Sequence, residues 1–188
     1  YGIGAALASD GSVALTGTFA PSIDLGGGAL TASQGDSNIF VAKLDASGNH
    51  VWSKQYGSYN YDQGGTIAFD PSGNLLVTGG IAGSVDLGGG FLTGNDEWTT
   101  DPFVLKLDAS GQHIWSRRFR GDGSQYANAI TTDRSGNVVV AGSFSYGIDL
   151  GLGEVVTAGT DTEDPYGYGY GAQDGFVVKM EPAGNVLW

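Results

Sequence analysis

The sequence contains no cysteine, five prolines, one methionine and only eight lysines and arginines among 188 residues. The missing cysteine excludes disulfides and a thiol nucleophile, and it fits a bacterial secreted protein as well as a protein with no need of thiols. No apolar run approaches the roughly 20 residues that a membrane helix requires, so we expect no membrane insertion. With a formal net charge of -12, nucleic acid and anionic membranes are poor candidate partners.

Glycine is abundant instead, with 34 residues, and Val, Ile, Thr, Phe, Tyr and Trp are frequent. These residues favour many short strands joined by tight turns over helices. The length is enough for one ordinary hydrophobic core. Because the sequence begins at Tyr1 without a methionine or a signal peptide, we expect a processed or excised piece.

One unit recurs three times along the chain. The segment "NIFVAKLDASGNHVWSKQYG" at residues 38–57 matches "DPFVLKLDASGQHIWSRRFRG" at 101–121 and "DGFVVKMEPAGNVLW" at 174–188. Each copy also carries a glycine motif, "DLGGG" at 24–28 and 86–90 and "DLGLG" at 149–153. Strand-like residues follow the glycines where a phosphate-binding loop would be followed by a helix, so the motif predicts a hairpin turn.

Each unit is predicted to form four strands, which in the second copy cover residues 65–69, 74–79, 102–107 and 112–117. Turns of the Asp-x-Ser-Gly type join the first strand to the second and the third to the fourth. The third strands are apolar on both faces, so each sheet must be covered on both sides, as a propeller blade is. We interpret the repeated Trp52, Trp115 and Trp188 as packing between blades.

The combination of "DxSGN", "VxVxG", "FVxKLDxSGxxxW" and "DLGGG" resembles the SBBP-type beta-propeller repeat of large bacterial surface and secreted proteins, notably glycine-rich myxobacterial ones. The resemblance implies an exported all-β propeller. We predict three four-stranded antiparallel blades at residues 1–57, 58–121 and 122–188, with the last connector missing. Since propellers typically have four to eight blades, the chain is either part of a longer propeller or half of a six-bladed ring made by two copies.

Function is expected on the rim opposite the Asp-Gly turns, where the irregular loops lie. Their tyrosines, acidic residues and single non-repeated tryptophan are typical of a surface that stacks on sugars, makes polar contacts or binds cations. A merely solvated loop surface is the alternative. The predicted ligand-binding residues are Trp98, Tyr59, Tyr61, Asp96, Glu97, Tyr126, Tyr166, Tyr168 and Tyr170.

Two sets of charged residues carry further predictions. Asp161, Glu163 and Asp164 offer oxygen ligands for calcium, although a plain acidic loop is the alternative, and no other cofactor is expected. The three lysines at one repeat position are expected to form structural ion pairs, because buried lysines usually have carboxylate partners. The lysines are Lys43, Lys106 and Lys179; the predicted partners are Asp24, Asp86 and Asp149, with Asn38, Asp101 and Asp174 as the other series.

No catalytic constellation stands out. His50 and His113 share one repeat position and are interpreted as strand residues, and the "RGD" at residues 120–122 as a chance match. We therefore expect a non-enzymatic extracellular module at a bacterial cell surface, for binding or adhesion to carbohydrate or protein, with self-association as a way to complete the propeller. The alternatives are a structural subunit of a surface layer or filament and a fragment of a polysaccharide-active enzyme.

Overall fold

A computed structural model describes residues 3–32, 37–95, 97–158 and 173–188. Within these ranges the regular elements are all β-strands, and every pairing is antiparallel, which confirms the predicted all-β fold class. The repeated unit is an antiparallel sheet with a two-stranded hairpin inserted between its second and third strands. In this described part of the chain there is no helix long and apolar enough to cross a membrane.

The first unit forms a four-stranded sheet in the order β1-β2-β5-β6, and β3 and β4 form the inserted hairpin. Its strands are β1 (Ile3–Leu7), β2 (Val13–Phe19), β3 (Ser22–Asp24), β4 (Ala29–Thr31), β5 (Asn38–Leu44) and β6 (His50–Tyr56).

The second unit repeats this arrangement, with the sheet order β12-β11-β8-β7 and a β9-β10 hairpin. Its strands are β7 (Gln63–Phe69), β8 (Leu75–Ala82), β9 (Ser84–Asp86), β10 (Phe91–Thr93), β11 (Thr100–Leu107) and β12 (His113–Arg118).

The third unit has a three-stranded sheet, β14-β15-β18, and its hairpin gains a strand from the preceding connector in the order β13-β16-β17. Where a fourth sheet strand was predicted, the described residues show an isolated bridge between Met180 and Val186, so a four-stranded third blade stays a prediction. The strands are β13 (Arg120–Asp122), β14 (Gln125–Thr132), β15 (Val138–Ser145), β16 (Gly147–Asp149), β17 (Glu154–Val156) and β18 (Gln173–Met180).

The hydrophobic core lies between the sheets. In β8 and β11, alternate side chains point to opposite faces, as in any strand. Val77 and Phe103 pack in one buried cluster with Val41 of the first unit. Leu76 and Val104 pack in a second cluster with residues of the third unit. The middle sheet is therefore covered on both faces, as its apolar sequence predicts.

The two kinds of glycine turn have the predicted hairpin form. In the second unit, Asp70 Oδ1 accepts hydrogen bonds from the backbone N-H groups of Ser72 and Asn74, both at 2.9 Å. Gly73 has a φ of 82°, in the left-handed region that glycine adopts without a Cβ penalty. The "DLGGG" hairpins bend back along the sheet, so that Gly89 lies directly against the imidazole of His113 at the start of β12.

Candidate binding surface

The repeated lysines lie at the end of the sheets that carries the Asp-Gly turns, which we call the turn end. Lys106 Nζ lies 2.9 Å from Asp70 Oδ2, and Lys179 Nζ lies 2.9 Å from Asp133 Oδ2. Both aspartates open the turn between the first two sheet strands of their unit. The sequence prediction therefore named the wrong carboxylates for these lysines, Asp86 and Asp149.

The remaining lysine, Lys43, also acts on a turn aspartate. The corresponding turn of the first unit opens at Ala8, and its aspartate is the third residue, Asp10. The pKa of Asp10 is lowered chiefly by hydrogen bonds from Ser12, with a smaller contribution from the charge of Lys43. The predicted partner Asp24 is instead engaged within its own hairpin, where its Oδ1 accepts from the N-H groups of Gly26 and Gly28 at 2.8 and 3.2 Å.

Sheet register explains the actual pairing. Lys106 stands opposite Leu76, next to the last pair of the β8-β11 ladder, and Asp70 directly follows β7 at the same end. Asp86 instead caps its own glycine turn, accepting from Gly88 and Gly90 at 2.7 and 3.0 Å. In this turn Oδ1 of Asp70 accepts from the backbone, while Oδ2 accepts both from Asn74 Nδ2 at 2.9 Å and from Lys106.

The other predicted series also has different partners. Asp101 forms a buried ion pair with Arg118, at 2.7 Å between Oδ2 and Nε, and Asp174 accepts a hydrogen bond from the backbone N-H of Ala158 at 2.8 Å. Asn38 lies against Gly57, at the connector between the first two units. These three residues therefore secure loops at the end of the sheets opposite the turns.

That opposite end, which we call the rim, consists of residues 57–62, 94–95, 97–99, 119–125 and 145–147. Contacts join its segments in sequence order around the sheets, the first of them through Gly83 at the base of the β9-β10 hairpin. Gly83 lies directly against Asn60 of the first connector, and Asn95 Nδ2 donates to Gly121 O of the second connector at 3.2 Å. Gly123 in turn lies against the ring of Tyr146. The rim is therefore one continuous surface that spans the units.

Several of the predicted ligand-binding residues are exposed on this rim. Trp98 is 90% exposed, Tyr59 78% and Tyr61 52%, and Glu97 is exposed beside Trp98. Large aromatic side chains with polar tips provide contact area at a low entropic cost when they bind a partner. The structure thus brings these side chains to one end of the scaffold.

The remaining predictions are placed differently. Tyr126 was expected in a loop, but it lies in β14, opposite Ser143, because the connector is tighter than the sequence suggested. It lines a gap of about 240 Å³ between β7 and β14 together with Gln63 and Gly80. Predicted residues outside the described ranges are Asp96, Asp161, Glu163, Asp164, Tyr166, Tyr168 and Tyr170.

Tyr146 belongs to the rim and was missed by the sequence interpretation. The residue is 39% exposed, and its φ of 64° is unusual for a residue other than glycine. The corresponding positions in the other units hold Pro21 and Gly83, which suit tight turns. The sequence did contain a signal for this residue, because a bulky aromatic side chain stands at a repeat position that holds glycine in the second unit.

Two buried polar side chains hold the rim from beneath. Asp62 accepts from the N-H groups of Ser58 at 2.6 Å and Ala82 at 3.0 Å, and Gln125 Nε2 donates to Asp122 O at 2.7 Å. Each lies at the start of the first sheet strand of its unit, and both are fully buried. Burial raises the pKa of Asp62 to about 6. The sequence interpretation missed both residues, although they share one repeat position.

The second unit contains an additional anchor. Arg118 pairs with Asp101, and the two side chains are only 2% and 1% exposed. The guanidinium also donates to Gly83 O at 2.6 Å and to Ile81 O at 3.0 Å. It therefore ties the base of the β9-β10 hairpin to the sheet, next to the loop that presents Trp98.

Side chains of the metal-ligating type are not clustered in the part of the chain that the structure describes. The described residues contain no group of three or more His, Asp or Glu side chains arranged to hold a metal. His50 and His113 lie in β6 and β12, each 3.1 Å from a serine hydroxyl, as expected of strand residues. The "RGD" residues form β13 and pair with β16.

A polar cleft of about 770 Å³ lies away from the rim, between the first and second units. Its walls come from β4, from the outer edge of β6 and from the second glycine turn, and they include Lys54, Gln112 and His113. None of the predicted ligand-binding residues lines it.

Three neighbouring repeat sheets with polar loops gathered at one end define a propeller-type repeat module. A family model described as "Beta-propeller repeat" (SBBP) matches residues 51–83, which confirms the resemblance inferred from the motifs. The match spans the fourth strand of the first unit, the connector and the first two sheet strands of the second unit.

Two similar proteins support this class. The chain is 29% identical over 139 residues, 65% of its length, to a WD repeat-containing protein of Acanthamoeba polyphaga mimivirus. It is 24% identical over 130 residues, 68% of its length, to the Regulatory protein FlaEY of Caulobacter vibrioides. It spans only 9% and 14% of these two relatives. The family match and the WD-repeat relative point to a non-catalytic repeat module.

Proposed function

We propose that this chain is part of a non-enzymatic extracellular propeller that binds a protein partner through the rim. The observation that carries the proposal is the set of exposed aromatic side chains, Tyr59, Tyr61, Trp98 and Tyr146, on loops anchored by buried polar groups. Aromatic residues on a rigid support are the type that dominates binding energy at protein interfaces. The relationship to WD-repeat proteins supports a protein partner.

Rigidity is the second support for the proposal. A loop that is already held in its bound conformation loses less entropy on binding. Asp62, Gln125 and Arg118 hold the connectors and the hairpin base through buried hydrogen bonds. Side chains presented in this way are suited to specific recognition, whereas a solvated loop surface needs no such anchors.

Carbohydrate is a second candidate ligand. It is favoured by Trp98, which at 90% exposure offers its indole face to a sugar ring. Bacterial export and a cell-surface location remain part of the proposal on the strength of the SBBP-type resemblance. Calcium binding by the acidic residues at 161–164 is part of the same proposal.

The test screens the immobilised chain against a library of displayed peptides and against a glycan array. A selected peptide should lose at least about tenfold in affinity with Trp98→Ala, the loss typical of an interface anchor. Phe91→Ala is the matched control, because Phe91 is an aromatic residue with 74% exposure in the glycine-turn hairpin, outside the rim. Equal losses in the two variants, or no binder of either class, would contradict a rim-based function. Glycan binding that depends on Trp98 would favour carbohydrate over protein.

A further inference from the structure

The polar cleft between the first and second units is a candidate binding site separate from the rim. Its volume of about 770 Å³ falls within the roughly 300–1,000 Å³ that is usual for ligand sites in proteins. One wall comes from β4 and β6 of the first unit, and the other from Gly88, Gln112 and His113 of the second. Because both walls come from units that already neighbour each other, the cleft is not one of the outer surfaces that a further repeat unit would cover.

The equivalent space of the second unit is bridged by an arginine. Arg118 Nη1 donates to Leu92 O at 3.2 Å, so its guanidinium links β12 to β10 of the inserted hairpin. The equivalent residues of the first unit are Gln55 in β6 and Leu30 in β4, and both line the cleft. Gln55 is exposed and has a shorter side chain than arginine. The cleft is therefore open in the first unit because glutamine replaces the arginine that bridges the second.

Contacts across the two units hold the walls of the cleft in place. In β6, Trp52 Nε1 donates to Ala109 O of the second unit at 3.2 Å. The stem of Lys54 lies over the same turn, since a Cβ placed on Gly111 would lie 3.1 Å from Lys54 Cε. On the opposite wall, the imidazole of His113 packs directly against the glycine turn. A cleft that is formed in advance loses little entropy when a ligand binds.

Lys54 gives the cleft a positive charge in a chain whose net charge is -12. Among the described residues, none forms an ion pair with Lys54, and none of those that line the cleft is acidic. Its charge makes only a small contribution to the lowered pKa of Asp108, which is due chiefly to the hydrogen bond from Ser110. Lys106 and Lys179, by contrast, each hold an aspartate at 2.9 Å. The cleft therefore offers a cation to an anionic ligand.

Hydroxyl and amide groups make up most of the remaining lining. Such groups both donate and accept hydrogen bonds, as sugar hydroxyls do. Within the described lining, only Ala29 and Leu30 are purely apolar side chains, so the cleft has little to hold the apolar residues of a peptide. The side chains with hydroxyl or amide groups are those of Thr31, Ser53, Gln55, Tyr56 and Gln112.

We propose that this cleft binds an acidic saccharide, a sugar that carries a carboxylate, in addition to the partner bound by the rim. The carboxylate pairs with Lys54 in a charge-assisted hydrogen bond, the kind that fixes a ligand most strongly. The sugar hydroxyls exchange hydrogen bonds with Gln55 on one wall and Gln112 on the other. Trp98 takes no part, because it does not line the cleft.

The experiment titrates the 188-residue chain with oligosaccharides of glucuronate, galacturonate and mannuronate, followed by NMR and calorimetry. At least one of them should shift the side-chain amide signals of Gln55 and Gln112. Its methyl ester, which lacks the charge, should bind at least about tenfold more weakly, because a hydrogen bond to a charged group contributes that much affinity. Added salt should weaken binding of the acid form.

Variants with matched charge locate the binding site. Lys54→Gln should weaken binding of the same oligosaccharide by at least about tenfold. Arg117→Gln is its control, because Arg117 has the same repeat position and charge but lies beside the space that Arg118 bridges. This control should leave the affinity unchanged, and so should Trp98→Ala at the rim.

A double variant closes the cleft without a change in net charge. Asn38→Asp combined with Gln55→Arg copies the buried pair of Asp101 and Arg118 in the second unit, and it should abolish saccharide binding.

Three results would overturn the proposal. The first is the absence of binding by every acidic saccharide, and the second is an equal loss of affinity in Lys54→Gln and Arg117→Gln. The third is equally strong binding of a hexaglutamate peptide, which would show that the cleft recognises negative charge and not a sugar. Saccharide binding that is lost with Trp98→Ala but kept in Lys54→Gln would place the sugar at the rim, in agreement with the proposed function and against the cleft.

Discussion

At the turn end, Asp70 and Asp133 each hold a lysine ammonium at 2.9 Å, whereas at the rim Asp62 is buried among hydrogen bonds from Ser58 and Ala82. Burial tends to raise the pKa of Asp70, but hydrogen bonds from Asn74 and Lys106 outweigh it and lower the pKa. Hydrogen bonds from Asn137 and Lys179 lower that of Asp133. For Asp62, burial dominates and raises the pKa to about 6.

The difference shows how one scaffold supports both a repeated and a variable end. The turn end repeats the lysine and the turn glycines in each unit, and the second and third units share the aspartate that pairs with the lysine, so its contacts recur. The rim uses a different buried group in each connector, Asp62 in one and Gln125 in the next, and adds the Arg118 pair in the second unit. Because each loop is held by its own buried group, the loop sequences can differ between units while the sheets stay the same.

Removal of the rim's ion pair should have the largest effect on stability. Arg118→Ala leaves Asp101 as a buried charge without its guanidinium and removes the donor to Gly83 O and Ile81 O. Loss of one partner of a buried pair typically costs about 3–5 kcal/mol. We expect a loss of this size in the free energy of unfolding, measured with urea.

Arg117→Ala is the matched control for this prediction. Arg117 is adjacent in β12, and its contact with Asn185 Oδ1 is long, at 3.4 Å, and exposed. Its removal should change the free energy of unfolding by no more than about 0.5 kcal/mol, the usual limit for surface substitutions. If the two variants unfolded alike, the rim would not depend on its buried pair.

The opposite pKa shifts predict opposite pH dependences. The folded state holds a proton on Asp62 up to about pH 6, whereas the unfolded chain releases it near pH 3.8, where an aspartate in water ordinarily titrates. The contribution of Asp62 to stability is therefore complete below pH 3.8 and is lost as the pH rises toward 6. A shift of this size corresponds to at most about 3 kcal/mol. Asp70 and Asp133 act in reverse, because their pKa values are lowered and their contribution is lost as the pH falls below 3.8.

Urea unfolding between pH 3 and 8 measures this dependence, with Asp62→Asn as the test variant. The amide resembles Gln125 of the next connector and does not titrate. We expect the variant to lack the fall in stability between pH 4 and 6, whatever its absolute stability. Asp133→Asn should leave that fall intact and change the curve below pH 4. A fall of equal size in Asp62→Asn and wild type would show that another group titrates.

At the turn end, each ion pair should contribute more to the free energy of unfolding when the next unit shields it from solvent. Lys106→Met removes the partner of a carboxylate that is 4% exposed, and we expect a loss of about 2 kcal/mol, since Asn74 and Ser72 still donate to Asp70. Lys179→Met breaks a pair whose side chains are 25% and 36% exposed, and surface pairs contribute at most about 1 kcal/mol. Equal losses in urea unfolding would contradict the role of coverage.

The sequence was sufficient to predict much of the fold, because the strands, hairpin turns and inter-sheet tryptophans follow from local patterns that recur. It was not sufficient to identify ion-pair partners, since Asp70, Asp86 and Asp101 are equally acidic in sequence and only register decides which lies near Lys106. Asp62 and Gln125 were missed because their chemistry differs, although their position and role are shared. The exposed tyrosines and Trp98 could be named from the composition of the loops. The contacts that join the rim segments could not be predicted, because they link residues far apart in sequence.

The smallest expected effect concerns Tyr146. This exposed aromatic residue of the rim has a backbone conformation that glycine adopts more easily. A tyrosine with a φ of 64° carries about 1 kcal/mol of strain, and glycine relieves it at the cost of a more flexible unfolded chain. Tyr146→Gly, which copies Gly83, should therefore change the free energy of unfolding by less than about 1 kcal/mol. Tyr59→Gly has no such strain to relieve, and urea unfolding should find it the more destabilised variant. If Tyr146→Gly also weakens the binding of a selected rim ligand, the tyrosine ring contributes to binding. The strained backbone then serves ligand binding and not the stability of the turn.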